Sequence, residues 1–118
     1  MKTSESYHIE YKSWGKEEWV VNNNEYCFKK LHFSIQNGST SLHFHIKKLE
    51  TMYVEKGKFC IEIVDTKTGK IQKNILYAGD SIDIERNVPH RIINLESNSV
   101  LLEASTHHEN DDSYRICL

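Results

Sequence analysis

The chain has 118 residues and a formal net charge of −2, with 27% charged and 38% hydrophobic residues. That suffices for one modest core but not two, and it is the balance of a folded globular domain rather than a disordered chain. Near-neutral charge gives no electrostatic basis for binding nucleic acid or an anionic membrane, and no apolar run approaches the roughly 20 residues of a membrane span.

The opening MKTSESYHIEYK lacks a signal peptide's apolar segment, so a cytoplasmic location is expected. Helix-like periodicity is nearly absent. Short β-rich runs succeed one another instead: EEWVVN, YCFKKLHFSIQ, SLHFHI, ETMYVEKG, KFCIEIVD, KNILYA, SIDIE, HRIINL and SVLLEAS. Turn signals separate them at Asn22 to Asn24, Asn37-Gly38, Gly57, Gly69, Gly79-Asp80 and Asn87 to Pro89. Leu31, Phe33 and Ile35 share one face of their run, opposite Lys30, His32 and Ser34. Pro89 stands just before His90, at a strand entry where no ladder donor is needed. Cys27 and Cys60 lie inside apolar runs and read as small buried thiols rather than metal ligands. Many short strands at these intervals predict a single all-β domain over 1–118, an antiparallel sandwich or barrel. Its strands begin within about 1–24, its core spans about 25–106, and a polar tail over 107–118 frays or folds across one end.

His43, His45, Glu50 and His90 carry the chemistry. Side chains alternate along a strand, so His43 and His45 point the same way and Phe44 points oppositely. Glu50 opens the next apolar run and His90 opens a later one. Three imidazoles and one carboxylate form a nitrogen and oxygen set suited to a divalent transition metal, with zinc, manganese, iron and nickel all compatible. Glu62 and Asn94 are expected to orient the imidazoles. His8, His32, His107 and His108 are expected to be structural or surface residues.

These residues resemble the two motifs of the cupin superfamily. The first reads Gly38, His43-Phe44-His45, Glu50 and Gly57; the second reads Gly79-Asp80, then His90 and Asn94, with Glu85 and Asn87 where that family usually has proline and glycine. The resemblance implies an antiparallel β-barrel of the jelly-roll type with His43, His45, Glu50 and His90 around one metal ion. The two ends are similar to carbohydrate cupins near the type II mannose-6-phosphate isomerase domain. Lys12-Ser13-Trp14-Gly15 lies before the barrel, and Glu103 with Asp111, Asp112 and Arg115 lies after it. Ser13 replaces a proline of that pattern and His43 a glutamine.

That kinship implies a metal-dependent isomerase-type enzyme acting on a sugar or sugar phosphate in carbohydrate or surface-polysaccharide metabolism. Glu103 is the candidate acid–base group, and Arg115 the candidate for assisting proton transfer or binding an anionic group. A dioxygenase and a non-catalytic sugar-binding module are the alternatives. A homodimer is expected, because exposed edge strands and a short chain both favour pairing, with Trp14, Trp19 and Tyr26 available for an interface.

Overall fold

The structure, a computed structural model, describes residues 1–117. Eleven strands follow in order: β1 (His8–Lys12), β2 (Gly15–Asn22), β3 (Cys27–Phe33), β4 (His43–Phe44), β5 (Glu50–Lys56), β6 (Lys58–Val64), β7 (Ile71–Tyr77), β8 (Ser81–Ile84), β9 (His90–Asn94), β10 (Ser99–Ser105) and β11 (Tyr114–Arg115). One sheet runs β1-β2-β3-β10-β5-β8 and the other β11-β4-β9-β6-β7, and every named pairing is antiparallel. A single 3₁₀ turn over Asn110–Asp112 is the only helical element among the described residues. Among the described residues no helix is long and apolar enough to cross a membrane.

Strand alternation builds the core and the site together. On β3 the buried positions are Cys27, Lys29, Leu31 and Phe33; on β5 Glu50, Met52 and Val54; on β9 His90, Ile92 and Asn94; on β10 Ser99, Leu101 and Glu103. Each strand therefore turns an apolar stretch toward the barrel middle and a charged or polar residue toward one end. Phe33, Phe59, Ile61, Val54, Ile92 and Leu101 fill the middle, with Trp14 stacked on Phe33 at 4.0 Å between ring centroids. Lys29, Glu50, His90 and Glu103 make the polar end. Truncating a fully buried phenylalanine such as Phe33 would cost about 3–5 kcal/mol.

The runs read from sequence differ from the strands in three places. β3 stops at Phe33, and Ile35 is exposed, because the chain turns at Asn37 (φ 66°), with Gly38 N–H bonded to the Ile35 carbonyl at 3.0 Å. The SLHFHI run keeps only His43 and Phe44 in a ladder, since residues 45–49 must cross from one sheet to the other. β1 was not among the runs, yet it pairs with β2 along its length. The tail folds rather than frays: β11 pairs with β4, and Tyr114 stacks on Phe44.

Trp14 and Trp19 are used within the chain. Trp14 is buried in the core, and Trp19 lies beneath the Lys29 ammonium at 4.1 Å. Only Tyr26 of the three aromatics expected at an interface stays exposed.

Candidate metal centre

His90 opens β9 and sits opposite His43 of β4 in the ladder, while His45 comes from the crossing that follows β4. Their ligand-capable ring atoms all lie within 4.8 Å of one another. Each ring turns its Nδ1 toward a main-chain carbonyl: His43 to Ser41 at 2.7 Å, His45 to Asp112 at 2.7 Å, and His90 to Val88 at 2.9 Å. A carbonyl can only accept, so Nδ1 carries a proton in all three rings, and Nε2 is the nitrogen whose lone pair a neutral ring offers. That is the form in which imidazole binds a metal.

The orienting groups are thus backbone carbonyls and not Glu62 or Asn94. Glu62 pairs with Arg91, and Asn94 Nδ2 donates to the Ile35 carbonyl at 2.9 Å. Asn94 does face inward with His90, but its amide secures the turn after β3. Main-chain direction around a histidine leaves no trace in a sequence pattern, so these partners could not be read in advance.

Glu50 stands beside the cluster, its Oε1 2.9 Å from His90 Nε2 and 3.9 Å from His45 Nε2. Both Glu50 oxygens and His90 Nε2 are fully buried and without a hydrogen bond. With the Nδ1–H of His90 committed to Val88, a neutral ring would set the Nε2 and Oε1 lone pairs face to face. A positive charge must lie between them, a proton or a metal ion. These orphaned atoms and the shared tautomer fit the residues to a divalent ion of the nitrogen- and oxygen-binding kind.

Burial, and the neighbouring His90 ring, push His43 down to about 4, and burial with the Lys48 ammonium lowers His45, so both are neutral near pH 7. Burial works to raise Glu50, but His90 and Lys48 outweigh it and hold the carboxylate ionised.

Lys48 is a site residue that the sequence reading missed. Its ammonium is buried 3.2 Å from Glu50 Oε2 and 3.1 Å from Glu103 Oε2, and it donates to His108 Nδ1 at 3.0 Å. Burial opposes its charge, yet Glu103 and Glu50 together raise its pKa. The bond from Lys48 leaves the His108 proton on Nε2, which donates to Asn110 Oδ1 at 2.9 Å. Burial and Lys48 lower His108 to about 4, so it is a neutral member of the site wall rather than a surface residue. His8, His32 and His107 keep the structural or surface places expected of them: His32 faces Glu18 at 3.1 Å, and His107 faces the Asn23 carbonyl.

His43, His45, Glu50, Lys48, Lys29, Glu103 and Arg115 line one cleft of about 780 Å³, framed by the turn before β2 and by the tail, with His90 buried beside Glu50. Glu103 reaches this cleft and not solvent. Lys48 engages its Oε2, and Oε1 receives no hydrogen bond among the described residues. Arg115 sits exposed at the mouth in register with His43. Asp111 is exposed and outside the cleft, whereas Asp112 is buried against the crossing between β4 and β5.

Residues 31–110 match the model of the Cupin domain family. Among solved structures, oxalate decarboxylase from Bacillus subtilis at pH 4.6 superposes with a TM-score of 0.85 and 19% identity over 98% of this chain and 31% of that one. KdgF from Halomonas sp. superposes with a TM-score of 0.76 and 17% identity over 92% of this chain and 94% of that one. This chain thus spans about a third of the oxalate decarboxylase, and at these identities the likeness is one of fold. No curated protein matches the sequence. The family match over most of the chain, with the His and Glu residues of both motifs brought together at one end of the barrel, makes this chain a member of the cupin domain family.

Proposed function

We propose that this cupin is a metal-dependent isomerase-type enzyme acting on a small sugar or sugar phosphate of carbohydrate or surface-polysaccharide metabolism. The supporting observation is Glu103, a buried carboxylate fixed by Lys48 on one oxygen and open on the other, in the same cleft as His43, His45 and Glu50. His43, His45 and His90 through Nε2, and Glu50 through Oε1, are the residues that would hold the ion. When bound, a divalent ion there supplies Lewis acidity toward a carbonyl or hydroxyl oxygen.

Glu103 then takes the proton from the carbon beside the carbonyl and returns it to the former carbonyl carbon, while the hydroxyl proton on O2 passes to O1 through the enediol, exchanging aldose for ketose with no net redox change. Lys48 keeps that carboxylate aimed inward. Arg115, free of ion pairs among the described residues, binds a phosphate at the mouth, where a planar guanidinium suits bidentate contact.

Incubating zinc- or manganese-loaded protein with aldoses and aldose phosphates in deuterated water tests this. Deuterium entering at C2 is expected, and Glu103→Gln should slow it by about 10²–10⁴-fold. No exchange with any aldose would contradict the reading.

A further inference from the structure

The segment that carries His45 to Glu50 is irregular, so the two site residues at its ends depend on how its backbone is pinned. One tail side chain supplies most of that pinning. The Asp112 carboxylate is buried and accepts the amides of three successive residues: Ile46 at 2.9 Å, Lys47 at 3.1 and 3.2 Å, and Lys48 at 3.1 Å. The Asp112 carbonyl is also the acceptor that fixes the His45 Nδ1–H. One residue therefore holds both the turn and the tautomer.

We infer that Asp112 is a latch: docking of the C-terminal tail through Asp112 sets His45 in its metal-binding form and fixes the Lys48–Glu50 approach, so that tail docking and metal affinity are coupled. The coupling rests on the metal-centre reading above, but the latch itself is a property of the metal-free chain. Without the carboxylate, three amide donors lose their acceptor and the carbonyl at His45 is no longer held in place. Groups that orient a metal-ligating histidine typically carry about 10–100-fold in affinity. By reciprocity, bound metal also favours the docked tail.

The test reads two quantities in the full chain. The first is the His45 tautomer in metal-free protein, by ¹⁵N correlation NMR of the imidazole; the second is zinc affinity, by competition with a chelator. Wild type should show His45 protonated at Nδ1. Asp112→Ala should show a mixture of tautomers and bind zinc about 10–100-fold more weakly. Lys47→Ala, which removes only the exposed Lys47–Glu109 contact between the same segments, should leave both readings at wild-type values.

If Asp112→Ala does not fold, Asp112→Asn serves, since it keeps one acceptor oxygen and lacks the charge. Wild-type tautomer and affinity in whichever variant folds would overturn the latch. A wild-type chain that binds no zinc, while its His45 tautomer still follows Asp112, would overturn the metal reading and uphold the latch.

Discussion

Without its ammonium, Lys48 would leave Glu50 and Glu103 as uncompensated buried carboxylates in a wall that already holds Glu17 against Lys29. Removing one partner of a buried ion pair costs about 3–5 kcal/mol, far more than a surface pair is worth. Lys48→Met should therefore destabilise the metal-free protein by about 3 kcal/mol or more in urea melts, while Lys47→Met next to it should change nothing measurable. Equal effects of the two would show that the buried pairs do not balance the wall. Lys48 was not legible in the sequence because it lies in the irregular crossing, where alternation assigns no face. Lys29 was legible in principle: it shares the parity of Leu31 and Phe33, and only the habit of placing lysine outside hid it. His43, His45 and His90 were readable because a two-residue period and a strand start fixed their direction before any neighbour was known.

At the level of strands, the two motifs survive because they coincide with strand starts. His90 opens β9 straight after Pro89, and Glu50 opens β5, so both enter at the same polar end of the barrel. Gly57, the closing glycine of the first motif, has φ 88°, and a Cβ there would fall 1.9 Å from Ser99 Oγ. Only glycine meets both conditions, which locks the turn between β5 and β6. Gly15 plays the matching part at the start of β2, where an added Cβ would overlap the His32 carbonyl. Strand identity was thus legible from alternation and turn chemistry, and strand ends were not. The tail was the least legible element: its acidic residues read only as part of a family-like end pattern, whereas Asp112 is spent on backbone amides, an attachment that exists only once β4, β5 and the tail meet.

Across the whole molecule, the charge at the barrel's polar end makes stability depend on pH. His43 and His108 are lowered to about 4, and His45 is lowered too, so the unfolded chain takes up protons at these groups before the folded chain does. Stability is therefore complete above the unfolded value of 6.5 and falls as pH drops through the window toward 4. Each of these imidazoles can contribute at most about 1.4 kcal/mol per pH unit. Glu50, Glu17 and Asp112, all depressed, add a loss of the same sign below their unfolded range. Chelator-treated protein should accordingly melt at steadily lower temperature from pH 6.5 to 4, and a flat profile would contradict the buried neutral histidines.

On the proposed reading, His43, His45 and His90, with Glu50, hold one divalent metal ion. Elemental analysis of the protein purified without added metal, beside His45→Ala, tests it most directly. Roughly one ion per chain is expected in the wild type, and almost none in a His45→Ala protein that keeps its β circular dichroism. A metal-free wild type that also fails to take up zinc, manganese, iron or nickel, or equal metal content in the two proteins, would contradict it.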